Sequence, residues 1–203
     1  QALAADHDGT AELTANIDAT STRSWFGNNG FVPIGNNSAR NPAGVNISLE
    51  GNGHTITGLY VGSWTVGSSG VFAGLGPDSG VRDVAFVNAT VSMIGSAGGV
   101  GTLAGTNRGH VDGVRVREST VDATTSTTGG LVGRNTGTVT RSSMTGVVTG
   151  DSVTGGLVGE STGTVTHSYA NVTVEGGGIG ASTGGLIGSL ETEPRRATPA
   201  LLA

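Results

Sequence analysis

Apolar residues recur along this chain in a fixed unit between residues 71 and 188, and glycine-rich segments separate the copies. Each of the five copies ends in a short apolar stretch closed by a glycine, at Gly74, Gly105, Gly133, Gly159 and Gly188. These closing glycines are spaced by 31, 28, 26 and 29 residues. A constant spacing in this range is typical of a solenoid, in which each repeat forms one coil and packs only against its neighbours.

A second pattern, apolar-x-x-apolar-x-apolar, begins six or seven residues after each of the first four closing glycines. It reads Val81/Val84/Phe86, Val111/Val114/Val116, Val139/Ser142/Met144 and Val165/Ser168/Ala170, and we place an earlier copy at Ile56/Leu59/Val61. Alternating β-branched residues predict short strands, and the two-residue insertion predicts a bend between them. The serines in the last two copies need backbone partners if they are buried.

Each repeat is therefore expected to hold two or three short strands, joined by turns of Gly, Asn, Ser and Thr. No window shows a sustained helical stripe of apolar residues, and repeats of 26–31 residues suit three strands per coil. The predicted fold is all-β, a right-handed parallel β-helix of about five to six coils, with the handedness usual for parallel crossovers. The 38 glycines are expected at tight corners and positive-φ positions.

The domain organisation follows from where the repeats begin and end. Residues 1–10 are expected to form a flexible N-terminus, in which residues 1–4 fit either the end of a signal peptide or ordinary flexible chain. Residues 11–53 are expected to form an N-terminal cap with the first strands. Residues 54–188 carry the repeats, and residues 189–203 are expected to be a tail or linker.

The amino-acid composition limits which cellular compartment and which classes of partner we expect for this protein. Only 12% of residues are charged, and the net charge of −5 gives no basic footprint for nucleic acid or an anionic membrane. No apolar run of eighteen residues is present, so we expect no membrane span. Cysteine is absent, which leaves no disulfides or thiolate metal sites. This balance favours a secreted, extracellular protein of the cell surface.

Two segments resemble a known repeat family. Residues 129–143, G-G-L-V-G-R-N-T-G-T-V-T-R-S-S, and residues 155–169, G-G-L-V-G-E-S-T-G-T-V-T-H-S-Y, resemble the GLUG repeat of large bacterial surface proteins. The preceding L-E-G-N-G-H-T-I-T-G-L-Y-V, residues 49–61, resembles what often comes before those repeats. The copies ending at Gly74 and Gly105 depart from the motif. The resemblance implies an extracellular right-handed β-helix of a bacterial or archaeal surface protein, commonly an adhesin or stalk, without catalytic residues.

Many polysaccharide lyases and hydrolases are β-helices, so a pair of carboxylate side chains in this chain could be catalytic. A glycosidase needs two carboxyl groups about 5–9.5 Å apart. Aligning the repeats places Arg82 beside Asp112 as a surface ion pair and stacks no two carboxylates. We therefore expect no catalytic residues and no cofactor, although a pair of acids reaching across two faces stays open as an alternative.

Metal sites are weakly indicated. The four histidines, His7, His54, His110 and His167, occupy different places in their repeats and form no ligand pair. Asp6 and Asp8 resemble the start of a calcium loop that lacks its later ligands. We expect no metal, with calcium near Asp6 and Asp8 as the one weak alternative.

The candidate exposed binding face consists of two adjacent threonine rows. Its members are Thr136, Thr138, Thr140, Thr162, Thr164 and Thr166. Such rows fit either the ordinary solvated side of a strand, where threonine has good β-propensity, or an ice-binding surface.

The function expected from the sequence is a non-enzymatic structural or adhesive segment of a cell-surface protein. Its partner is expected to be a surface glycan or protein, or neighbouring copies of itself joined end to end. Two alternatives stay open, a carbohydrate-active β-helix enzyme and an ice-binding solenoid.

Overall fold

The structure is a computed structural model that describes residues 9–35, 44–62, 67–94, 98–124, 127–178 and 180–190. The chain is all-β and forms a parallel β-solenoid of about five turns, which confirms the predicted fold class. A short 3₁₀ helix, Thr20–Ser24, lies near its N-terminal end.

The strands are numbered in chain order. The first eleven are β1 (Gly9–Glu12), β2 (Ile17–Asp18), β3 (Ile47–Glu50), β4 (Thr55–Thr57), β5 (Tyr60–Val61), β6 (Phe72–Leu75), β7 (Gly80–Arg82), β8 (Ala85–Val87), β9 (Thr90–Met93), β10 (Gly99–Val100) and β11 (Ala104–Asn107). The others are β12 (His110–Asp112), β13 (Arg115–Ala123), β14 (Thr127–Gly129), β15 (Val132–Asn135), β16 (Thr138–Thr140), β17 (Ser143–Gly150), β18 (Val153–Gly155), β19 (Val158–Ser161), β20 (Thr164–Thr166), β21 (Tyr169–Gly176), β22 (Ser182–Gly184) and β23 (Ile187–Leu190).

The strands assemble into four parallel sheets that run along the solenoid. Sheet I has the order β1-β3-β7-β12-β16-β20, and sheet II has the order β2-β4-β8-β13-β17-β21, with β5 and β9 beside β13. Sheet III has the order β10-β14-β18-β22, and sheet IV has the order β6-β11-β15-β19-β23. One coil, such as β12 to β15, visits all four sheets in turn. A coil thus contains four strands, and the expectation of two or three was wrong.

The predicted register is confirmed in the middle and C-terminal coils. Val111 pairs with Val81 and Val139, and Val139 pairs with Val165, so these residues form one ladder inside the coil. The two-residue insertion is a bend, because the residue before the middle apolar position has a positive φ in each copy. These residues are Asp83 (φ 50), Gly113 (φ 66), Arg141 (φ 47) and His167 (φ 51).

The copy that we placed at residues 56–61 is out of register. Leu49, rather than Ile56, pairs with Val81. Ile56 pairs with Phe86, and Val61 pairs with Val91. The bend between Leu49 and Ile56 is two residues longer than in the later coils and contains two positive-φ positions, so a template with constant spacing misplaces this copy.

The motif glycines have a different role from the expected one. Gly105, Gly133 and Gly159 are not among the positive-φ residues; they lie where sheets III and IV touch through their backbones. A Cβ built on Gly133 would lie 2.4 Å from the Val100 nitrogen, and one on Gly159 would lie 2.7 Å from the Gly133 oxygen. The closing glycines therefore allow the backbones of sheets III and IV to approach closely, with only small side-chain atoms such as Thr127 Cγ2 beside Gly159. Gly74 is outside this series, because it pairs with Thr106 rather than with Gly105.

The serines at the middle position of the last two repeats have backbone hydrogen-bond partners, whereas the buried hydroxyl oxygens of Ser69, Thr102, Thr128 and Thr154 have none among the described residues. Ser142 Oγ donates to the Thr140 oxygen at 2.8 Å and accepts from the Val114 nitrogen at 3.2 Å. Ser168 repeats this arrangement one coil later, with the Thr166 oxygen and the Ser142 nitrogen. The hydroxyls that replace aliphatic residues in the last coils thus find the backbone partners that burial requires.

Residues near the N-terminal end cover the edge of β5. The Tyr60 nitrogen donates to Thr22 Oγ1 at 2.9 Å, and Gly30 forms an antiparallel bridge with Val61. The Arg23 guanidinium lies 4.7 Å from the centre of the Tyr60 ring. An edge strand that is covered in this way offers no template for uncontrolled pairing.

Candidate binding face

The structure brings four of the six candidate threonines together on sheet I. Thr138 pairs with Thr164 and Thr140 pairs with Thr166, while Val139 and Val165 between them point into the coil. Thr166 Oγ1 donates to Thr140 Oγ1 at 3.3 Å, so part of this hydroxyl array is bonded internally. The face covers only two strands, because the equivalent positions on β12 are His110 and Asp112.

Thr136 and Thr162 lie elsewhere. They occupy the turns that follow β15 and β19, and Thr136 Oγ1 donates to the Asn107 oxygen at 3.3 Å. Both residues line a groove of about 310 Å³ at the corner between sheets IV and I. The groove is lined by Ser68, Gly98, Thr106, Arg108, Arg134, Asn135, Thr136, Glu160 and Thr162.

The groove residues follow from the register of sheet IV. Thr106, Arg134 and Glu160 form one row, because Arg134 pairs with both of the others on adjacent coils. Two residues further along the chain, Arg108, Thr136 and Thr162 occupy the following turns. Since neighbouring parallel strands lie about 4.8 Å apart, the three coils give the groove a length of about 10 Å.

Glu160 and Thr127 fix the position of the Arg134 side chain. Its Nη2 lies 3.3 Å from Glu160 Oε2, and its Nε and Nη2 each lie 3.4 Å from Thr127 Oγ1. The side chain of Glu160 is 19% exposed and that of Arg134 is 48% exposed. The pair is thus a fixed element of the groove wall, with the guanidinium reaching solvent.

A buried amide ladder supports the floor of the groove. Asn107 Nδ2 donates to Asn135 Oδ1 at 2.8 Å, and Asn135 Nδ2 donates to Ser161 Oγ at 3.1 Å. Asn107 Oδ1 also accepts from the Gly109 nitrogen at 3.1 Å. These bonds hold the turns that carry Thr136 and Thr162 at the same place in successive coils.

Two carboxylates on sheet I, those of Glu50 and Asp112, form ion pairs. Glu12 pairs with Glu50 in the register of β1 and β3, so two carboxylates do stack and the expectation that none would was wrong, because the repeat alignment did not include β1. Glu50 Oε1 lies 3.2 Å from Arg82 Nε. Asp112 lies beside Arg82, as the repeat alignment predicts, but its carboxylate is paired with Arg141 instead. The register of the first coil explains this difference. Leu49, rather than Ile56, pairs with Val81, so Glu50 lies beside Arg82 on the preceding strand and binds its guanidinium. Glu160 is the one carboxylate among the groove residues named above.

Three of the histidines considered as metal ligands, His54, His110 and His167, lie within the described residues. In the part of the chain that the structure describes, no three His, Cys, Asp or Glu side chains are grouped so that they could hold a metal ion. His54 Nδ1 lies 3.3 Å from Asn16 Oδ1, and His110 and His167 are exposed. His7, Asp6 and Asp8 lie outside the described residues. Within the described ranges, no helix has the length and apolar character needed to cross a membrane.

Arg134 and Glu160 were missed as candidate binding residues. They occupy the same place in successive repeats, directly after G-G-L-V-G, so aligning the copies at residues 129–133 and 155–159 would have placed opposite charges side by side. Thr106 gives no such signal, because the copy that contains it departs from the motif.

Two curated proteins are similar to about half of the chain. A halomucin of Haloquadratum walsbyi is 36% identical over 112 residues, which cover 54% of this chain and 1% of the halomucin. A protein of Evansella cellulosilytica, whose name describes it as a Gly-rich membrane protein, is 31% identical over 105 residues, or 52% of this chain and 11% of that protein. The similarity therefore spans a small fraction of either relative.

No family model matches the chain, so its likeness to GLUG repeats stays a resemblance of individual motifs. No solved structure gives a significant match.

Proposed function

We propose that this chain is a non-enzymatic extracellular segment of a cell-surface protein, in which a β-solenoid presents a polar binding surface to a surface glycan or protein. The observation that carries the proposal is the corner groove of Arg134, Glu160 and the flanking threonines, built on successive coils of one repeated fold. Repeated coils hold such side chains at fixed spacing, which suits recognition of an extended ligand.

The two similar proteins support the proposed location at the cell surface. One is a halomucin and the other is named as a membrane protein, and both names belong to proteins of the cell surface or envelope. The cysteine-free composition agrees with this placement.

The ion pairs support the non-enzymatic part of the proposal. Glu160 and Asp112 each lie against an arginine. Glu50 is paired with Arg82 although Glu12 lies beside it on the adjacent strand, and neither Glu12 nor Glu50 lines the groove. A glycosidase divides its chemistry between two carboxyl groups facing one substrate. Glu160 is the carboxylate to test first, because it lines the groove.

The test incubates the purified chain with a panel of soluble and insoluble polysaccharides and with intact cells. Retention and released reducing or unsaturated sugar ends are scored in the same tubes. Retention without product is expected. Product that disappears in Glu160→Gln would assign catalysis to this groove and overturn the non-enzymatic proposal, and failure to be retained by any ligand would overturn the binding proposal.

End-to-end assembly is a second candidate, favoured by the last strands of the four sheets. No described strand pairs with the outer edges of β20, β21, β22 and β23. Tyr169 and Leu190 at this end are 61% and 68% exposed. Unpaired parallel edges are templates for further strands. Sedimentation velocity over a hundredfold concentration range tests this: growing species support assembly, and a constant monomer contradicts it.

A further inference from the structure

The described lining of the corner groove contains more basic than acidic side chains. Among these residues are the guanidinium groups of Arg108 and Arg134 and one carboxylate, that of Glu160. The chain as a whole carries a net charge of −5. Positive side chains attract an anionic ligand, and the acidic remainder of the surface repels it, so such a ligand is directed to the site where guanidinium groups are exposed.

The guanidinium of Arg134 is preorganised for a planar anion. Its contacts with Thr127 and Glu160 use Nε and Nη2, and Nη1 has no hydrogen-bond partner among the described residues. A guanidinium held in place loses less rotamer freedom when it binds, and it forms strong charge-assisted hydrogen bonds with carboxylates.

The rest of the lining indicates what carries the anion. Thr106, Thr136, Thr162 and Ser68 bring hydroxyl groups, and Asn135 brings the buried amide of the ladder. Among the described residues that line the groove, none has an aliphatic or aromatic side chain, so these residues offer a peptide no apolar pocket and a neutral sugar no ring to stack on. A ligand with many hydroxyls and a carboxylate matches this set of donors and acceptors.

We infer that the groove binds a glycan containing uronic acid, with a uronate carboxylate on the Arg134 and Arg108 side and sugar hydroxyls on the threonines and Glu160. The inference rests on the proposed function and adds the ligand class to it. The groove length of about 10 Å, set by three coils, accommodates about two sugar residues. Glu160 is a positioning residue for Arg134 and limits how much negative charge the groove accepts.

The test measures binding by isothermal titration calorimetry with oligogalacturonate. The matched probe is the same oligosaccharide with its carboxyl groups methyl-esterified, and hexaglutamate serves as an acidic peptide. Arg134→Gln is expected to weaken oligogalacturonate binding at least tenfold, because it removes a charge-assisted contact. Arg82→Gln is the control, since Arg82 lies on sheet I away from the groove residues.

Glu160→Gln separates a binding role from a structural one. Glu160→Gln keeps an amide oxygen that can accept a hydrogen bond from Arg134 Nη2 and removes the negative charge. If the groove recognises the uronate charge, this variant therefore keeps or strengthens binding, and a tenfold weakening would overturn the charge argument. Thermal unfolding of each variant, followed by circular dichroism, verifies that it is folded at the temperature of the titration.

The outcomes distinguish the two proposals. Binding of oligogalacturonate but not of its ester, lost in Arg134→Gln and kept in Arg82→Gln, supports the inference. Equal binding of the ester, an unaffected Arg134→Gln, or equal binding of hexaglutamate overturns the inference and leaves the proposed adhesive function standing. Absence of binding to oligogalacturonate, with retention by another polysaccharide in the panel, overturns it in the same way. Absence of binding to every ligand overturns both.

Discussion

Gly133 lies directly against the backbone of Val100, so that a Cβ built on Gly133 would come within 2.4 Å of the Val100 nitrogen. The same Cβ would lie 2.7 Å from the Gly105 oxygen. All of these neighbours are backbone atoms, which cannot rotate away as a side chain would. The contact joins sheets III and IV, and it repeats in the next coil at Gly159.

Gly133→Ala is therefore expected to destabilise the protein by about 3 kcal/mol, since the two sheets must move apart to admit a methyl group. Urea unfolding followed by circular dichroism measures the change. Gly185→Ala is the matched control, because Gly185 belongs to the same motif in the last copy and its Cβ would meet nothing within 4 Å. Equal losses in the two variants would contradict the sheet contact as the cause.

The buried amide pair of Asn107 and Asn135 gives a second prediction. Asn135→Ala removes the acceptor for Asn107 Nδ2 and the donor to Ser161 Oγ, and leaves buried polar atoms unpaired. A loss of about 2–3 kcal/mol is expected. A double-mutant cycle with Asn107→Ala should show a coupling free energy of about 1 kcal/mol or more, as residues in one network do.

The control for the amide pair is Asn171→Ala, which changes an exposed asparagine on β21. It is expected to alter the free energy of unfolding by less than about 0.5 kcal/mol. Additive losses at Asn107 and Asn135 would show that the ladder is not a coupled network.

The carboxyl group of Asp18 gives a pH prediction. Thr20 donates to Asp18 Oδ1 from its Oγ1 at 2.7 Å and from its nitrogen at 2.9 Å, and these two bonds lower the pKa of Asp18 below its ordinary value of 3.8. Because the folded pKa is lowered, the bonds stabilise the fold above the ordinary value, and this contribution is lost as the pH falls through the folded pKa.

Thr20→Ala is expected to raise the pKa of Asp18 toward its ordinary value, since the side-chain bond is the larger cause and only the backbone bond is kept. An NMR titration of the Asp18 carboxyl carbon measures this shift. Ser21→Ala leaves both bonds in place and should leave the titration curve unchanged. A Thr20→Ala curve that coincides with the wild-type curve would refute the assignment.

The threonine face of sheet I is expected to show no ice binding. Among the described strands of sheet I, only β16 and β20 carry threonine at both outward positions, and Arg141 and Asp112 lie beside them as a charged pair. A flat array of two rungs with charged neighbours offers little ordered surface. Nanolitre osmometry should therefore find no thermal hysteresis above that of a non-binding protein of equal mass. Hysteresis that is lost in Thr138→Tyr would restore the ice-binding alternative.

Several features could be predicted from particular residues. Val81, Val111, Val139 and Val165 are buried in one ladder, because strand side chains alternate and a one-residue slip would turn every valine outward. The adjacency of Thr138 with Thr164 follows from the same register. The bend at Asp83 and its equivalents follows from the two-residue insertion.

Other features needed the structure. The longer bend at Asn52 and Gly53 displaced Ile56 from the expected ladder, because the number of residues in a turn changes the register of everything before it. The binding candidates divided between a flat face and a corner, because Thr136 precedes β16 and lies in a turn. A carboxylate can pair with an arginine on the preceding or on the following strand of its sheet. Side-chain reach decides between the two, as the pairing of Asp112 with Arg141 shows.

The sequence by itself determined the repeat, the parallel coil and the ladders of inward-facing apolar residues, since these depend on a local periodicity that is present in every copy. The tertiary structure decided how the coil closes. Gly133 meets Val100 only because sheets III and IV fold back on each other, and that non-local contact explains the glycines of the motif. It also decided that Thr136 shares one groove with Arg134 and Glu160, because the turn after β15 brings Thr136 beside the outward row of sheet IV.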